Sequence, residues 1–158
     1  MAVPAETSGA LVLDTLASEV LAEEAAAFAR VLREPDARAR YAELADAARQ
    51  GSVPEQLVPA LETMLELVLQ TQRIRRQHGP AAEQALAELF AETPRGNRLR
   101  ASAREVNRAL QALRGQRIER LTVSPGVGQH TLSIETDACR VLLRLDAAAG
   151  FQVTSLEV

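Results

Sequence analysis

The chain has 158 residues, 47% hydrophobic and 25% charged, with a formal net charge of −3, ordinary proportions for one globular domain. All 18 basic residues are Arg, and there is one Cys, two His and no Trp. Without Lys there is no P-loop, Schiff-base or kinase-type lysine; one Cys excludes an intrachain disulfide and a Cys-rich zinc site, and two His exclude a three-His zinc site.

The segment Met1-Ala2-Val3-Pro4-Ala5-Glu6 carries no basic region and no long apolar run, so it does not read as a secretory signal. The most apolar stretch, Leu57 to Leu69, is interrupted by Glu62 and Glu66 and falls short of the roughly 18 apolar residues of a membrane span. The expectation is a cytoplasmic protein with no membrane partner. Arg in place of Lys, with abundant Ala, Leu and Val, suggests GC-rich coding and a bacterial source.

Hydrophobic periodicity is helical before Gly115 and alternating after it. A first helix is expected over residues 8–33, with Leu13, Leu16, Val20, Phe28, Val31 and Leu32 on one face. Pro35 opens a second helix to Gln50, anchored by Tyr41 and Leu44, with Gly51 as its stop. A third is expected from the capping box Ser52-Val53-Pro54-Glu55 to Gln77, with Leu57, Leu61, Met64 and Val68 on its main face and Leu67 and Ile74 on another. A fourth covers residues 80–92, and Thr93-Pro94-Arg95-Gly96 reads as a loop. The fifth covers residues 97–114, with Leu99, Ala103, Val106, Leu110 and Leu113 in a stripe.

Four strands follow, near residues 119–123, 130–135, 139–146 and 151–158, with turns at Ser124–Gly128, Thr136–Ala138 and Ala147–Gly150. Short connections imply an antiparallel meander. A small sheet with one apolar face needs a cover, and the fifth helix is the nearest. The expectation is therefore one α+β domain over residues 1–158: about five helices in 1–114, then a four-stranded antiparallel meander in 116–158 packed on the last helix. Val106, Leu110 and Leu113 should lie against Leu121, Leu132, Val141 and Leu143.

Charge is segregated. Residues 1–70 carry a net −7, residues 71–120 a net +6 and residues 121–158 a net −2. Within the basic block Arg100, Arg104 and Arg108 recur at i, i+4 and i+8, opposite the apolar stripe. Like charges at that spacing repel by a few tenths of a kcal/mol per pair, so the row calls for an acidic partner. Three are open: carboxylates of the first three helices, an acidic patch on another protein or subunit, or a nucleic-acid backbone. Against nucleic acid stand a pI near 5.5 and the lack of interleaved aromatics for base stacking.

No catalytic, cofactor or metal site is predicted. His130 and Cys139 flank one hairpin but lack a third ligand or an orienting group. His78 suits a helix C-terminus. Glu62 and Glu66 share a helix face without a Glu-x-x-His motif and read as a solvated face. Pro125-Gly126-Val127-Gly128 has no following helix and reads as a hairpin turn.

In the last strand Leu156 and Val158 fall out of phase with Phe151 and Val153. Either both faces are apolar and this edge pairs with a second copy, or a bulge near Thr154-Ser155 turns Leu156 back. The functional expectation is a non-catalytic interaction or adaptor protein that self-associates through Phe151, Val153, Leu156 and Val158. The alternative is a nucleic-acid-associated regulator using Arg100, Arg104 and Arg108.

Overall fold

The computed structural model describes residues 9–146 and 150–157. The architecture is α+β: six α-helices, then a four-stranded antiparallel sheet near the last helix. The chain divides into two compact units, one through Arg95 and one from Gly96, and the buried apolar residues form one cluster in each. Among the described residues no helix is long and apolar enough to cross a membrane.

In the first unit, Leu11–Val12 (β1) pairs antiparallel with Ser52–Val53 (β2). This replaces the expected first turn of the first helix and the expected capping box. α1 runs Thr15–Val31 from the N-cap Asp14, whose carboxylate accepts from the Ala17 N–H at 2.7 Å. The position expected as the first helix's start, Ser8, lies outside the described residues. α2 runs Pro35–Arg49, with proline in its first turn as predicted. Gly51, at φ +80°, takes the left-handed conformation that ends it.

The long third helix of the sequence reading is three pieces. A 3₁₀ turn over Glu55–Leu57 leads into α3, Val58–Gln70. Thr71 then donates its hydroxyl to the Leu67 carbonyl at 2.7 Å, and Gln72 adopts φ 54°. That left-handed residue breaks the helix, and α4 restarts over Arg73–His78. The break explains Ile74, which lies off the α3 stripe in sequence yet is fully buried. α5 spans Pro80–Glu92.

α6 begins at Pro94 and runs to Gln111, so the expected Thr93–Gly96 loop is mostly helix. Proline at the first helical position costs no hydrogen bond. The sheet has the order β3-β4-β5-β6, with strands Ile118–Gly126, Gln129–Thr136, Arg140–Asp146 and Gly150–Glu157. β3 is longer than expected, because Ser124 and Pro125 belong to the strand and the turn is Val127-Gly128. The expected Ala147–Gly150 turn falls largely on residues 147–149, which lie outside the described residues.

Val106 and Ala109 of α6 are buried with Ile134, Val141 and Leu143, and Leu110, Leu113, Leu132 and Val153 pack around them. The predicted packing holds for β4 and β5. It fails for Leu121, which is 60% exposed. A helix with its side chains is about 10 Å across, whereas four strands at roughly 4.8 Å spacing span more than that. Leu143→Ala should therefore cost about 2–5 kcal/mol and Leu121→Ala under about 1 kcal/mol, as read by urea unfolding.

The Glu34 carboxylate accepts from the Ala37 and Asp36 N–H groups at 2.5 and 3.0 Å, and those bonds, Ala37 first, hold its pKa below the usual carboxylate value. A depressed folded-state pKa gives stability present above the unfolded value and lost as pH falls through the folded one. The fall in urea midpoint on acidification should be shallower in Glu34→Gln than in wild type.

Candidate functional site

The arginine row stands where the spacing places it. Arg100, Arg104 and Arg108 are all exposed on α6, on the side away from the buried Val106 and Ala109. Among the described residues their guanidinium groups enter no ion pair; the ion-paired arginines are Arg49, Arg73, Arg75, Arg95, Arg120 and Arg140. Within the first unit, Asp46, Glu24 and Glu66 pair with Arg49, Arg73 and Arg95.

The sheet corrects the argument about the last strand. Leu145 opposes Phe151 and Leu143 opposes Val153, then the register shifts, and Val141 opposes Leu156. The extra residue is Thr154, whose hydroxyl donates to the Leu142 carbonyl at 3.0 Å. This bulge returns Leu156 to the face of Val153, so the out-of-phase pattern is one extra residue and not a second apolar face. Leu156 stays 43% exposed. Val158 lies outside the described residues.

The uncovered apolar row is on β3. Leu121 opposes Ile134 and Val123 opposes Leu132, so both share the face that α6 covers farther along the sheet. A bulge at Glu119 brings Ile118 onto the same face. Ile118, Leu121 and Val123 are 57%, 60% and 61% exposed. The opposite face is polar, with Glu135 between Arg120 and Arg140 at 3.8 and 3.4 Å.

Sequence reasoning missed a second constellation in the first unit. Glu24 of α1 is 2% exposed. Its Oε2 pairs with Arg73 Nε at 2.8 Å and its Oε1 lies 3.2 Å from His78 Nε2. Glu23 lies 3.8 Å from His78 Nδ1. The four residues line a cavity of about 400 Å³ with Arg30, Arg49 and Gln77. Val20, Glu24 and Phe28 lie at i, i+4 and i+8 in the apolar stripe of α1; a carboxylate inside such a stripe was the available signal. Arg73 also borders an apolar groove of about 450 Å³ lined by Phe28, Val31, Leu32, Leu67 and Val68. Both Glu24 oxygens are engaged, so the cluster ties α4 to α1.

The remaining candidates resolve simply. His130 opposes Leu145, at the end of β4 far from Cys139, so the two never meet. Cys139 is buried, its thiol donating to Gln116 Oε1 at 3.2 Å. Glu62 is not a solvated carboxylate: it accepts from the Arg95 backbone N–H at 2.7 Å, while Glu66 pairs with the Arg95 guanidinium. Among the described residues no group of three or more His, Cys, Asp or Glu is arranged to hold a metal ion.

Comparison with protein-family models, with curated proteins and with solved structures finds no match.

The Glu24 cluster predicts an asymmetry. Arg73→Ala leaves a buried carboxylate beside His78 alone and should cost about 3 kcal/mol. Glu24→Gln frees Arg73, whose side chain is 42% exposed and reaches water, so it should cost only about 1 kcal/mol. Thermal or urea unfolding of the two variants reads the order, and a larger loss for Glu24→Gln contradicts it.

Proposed function

We propose that this chain is a non-catalytic adaptor or assembly protein of the bacterial cytoplasm that self-associates and presents the arginine row of α6 to an acidic partner protein. The carrying observation is that Arg100, Arg104 and Arg108 share one exposed helix face and pair with no carboxylate among the described residues. The row costs the helix a few tenths of a kcal/mol per like-charge pair. Guanidinium groups one turn apart match carboxylates on a facing helix or strand through charge-assisted, often bidentate hydrogen bonds. The fully engaged Glu24 and the separated His130 and Cys139 support a binding role over a chemical one.

The same row favours a second reading, attachment to a nucleic-acid backbone, because phosphates satisfy guanidinium groups equally well. Phe28 packs on Tyr41 with ring centroids 5.4 Å apart, against the first unit's core and away from the arginine row in sequence.

Arg104→Glu separates the alternatives. In the adaptor reading its thermal stability stays within about 0.5 kcal/mol of wild type, and wild type but not the variant is retained on immobilised polyglutamate at about 50 mM salt. No gel shift with duplex DNA or single-stranded RNA is expected at that salt. A large stability loss would show that the row is paired within the fold. A shift that weakens steeply as salt rises would establish the nucleic-acid reading instead.

A further inference from the structure

The reading above includes self-association, and the following inference rests on that part of it. We infer that the β3 edge is the self-association surface: two copies pair their β3 strands antiparallel about a two-fold axis at Thr122, which sets Leu121 against Val123 of the second copy and joins the two sheets.

The backbone indicates which groups are open. The β3–β4 hairpin turns through Val127-Gly128, closed by the pair Gly126 and Gln129. In a two-residue hairpin the closing pair is hydrogen-bonded, and bonded and unbonded positions then alternate. Ser124 and Thr122 therefore point their backbone groups at β4, whereas Pro125, Val123 and Leu121 point theirs to the open side. Proline is tolerated in a strand where its missing N–H would face outward, which Pro125 satisfies. At the other end, the Glu119 bulge interrupts the edge. The usable donors of the edge between bulge and proline are the N–H groups of Leu121 and Val123.

A two-fold axis at Thr122 satisfies that short edge completely. Leu121 and Val123 of the second copy exchange both their N–H···O bonds, and the symmetric pair does the same. Pro125 comes opposite Glu119, where the bulge already disrupts the ladder. Arg120 comes opposite Ser124, so no like charges face each other across the seam. Between bulge and proline the edge is thus self-complementary, which favours a second copy as the occupant.

The side chains agree with the backbone. The uncovered row of Ile118, Leu121 and Val123 lies on the helix side of the sheet. In the pair, two such rows lie side by side between the two α6 helices, each helix seated on its own β4 and β5. Leu121 and Val123 then make cross-strand apolar contacts at the axis. The β6 edge offers less apolar surface: among its described residues the exposed large hydrophobic is Leu156, at 43%, against three on β3.

Sedimentation velocity on the full chain between about 5 and about 500 μM tests the inference, over the range in which short interfaces associate. Wild type should move from monomer towards dimer. Val123→Pro removes one outward N–H without touching a β4 bond, and Leu121→Lys places a charge at the seam. Both should keep the wild-type circular dichroism and stay monomeric throughout, with at least a tenfold rise in dissociation constant. Leu156→Lys, on β6, should dimerise like wild type. A dimer insensitive to the β3 variants but lost in Leu156→Lys overturns the β3 assignment and leaves self-association standing. A wild-type monomer at about 500 μM overturns both. Should Val123→Pro fail to fold, Leu121→Lys alone decides, since Leu121 is 60% exposed and its replacement buries no charge.

Discussion

One helix is too narrow for a four-stranded sheet. α6 brings Val106, Ala109, Leu110 and Leu113 to the sheet, and that stripe covers β4 and β5. The sheet nevertheless continues its apolar face outward to β3, where Ile118, Leu121 and Val123 stay in phase with the covered residues. Bulges maintain that phase at both ends of the sheet: Glu119 in β3 keeps Ile118 on the apolar face, and Thr154 in β6 keeps Leu156 there. The polar face carries the Arg120, Glu135 and Arg140 ladder. Apolar side chains left on one face of an edge strand are the pattern of a surface completed by another surface.

The first unit is organised by a different constraint, the burial of one carboxylate. Glu24 sits in the apolar stripe of α1, and a buried carboxylate requires partners on both oxygens. The left-handed Gln72 supplies the geometry, breaking α3 from α4 so that Arg73 and His78 come to Glu24 while Ile74 turns into the core. Continuous helix through Thr71 and Gln72 would keep Ile74 off the α3 stripe. A local conformational cost at one residue is thus offset by an ion pair and a buried isoleucine.

Much of this was legible in the sequence. The change of period at Gly115, the proline starts of α2 and α5, the stripe of α6 and the four-strand meander all follow from spacing and turn chemistry. Three features were not. The β1–β2 pair is two residues on each side, too short for any alternation to register. The break at Thr71-Gln72 carries no Gly or Pro, and Gln in a left-handed conformation is dictated by tertiary packing. The exposure of Leu121 depends on how far one helix reaches across a sheet, which no strand pattern encodes. The arginine row was legible because it needs only helical spacing. The Glu24 cluster was not recognised because its partners lie 49 and 54 residues away, although a carboxylate in an apolar stripe marked its place.

The coverage limit is tested most directly by paramagnetic relaxation of Leu and Val methyl groups with a soluble gadolinium chelate, in protein dilute enough to be monomeric. The account predicts strong broadening of the Leu121 and Val123 methyls and little at Val141 and Leu143, which are 0% and 2% exposed. Equal protection of all four residues would show that β3 is covered within the single chain and would contradict the account.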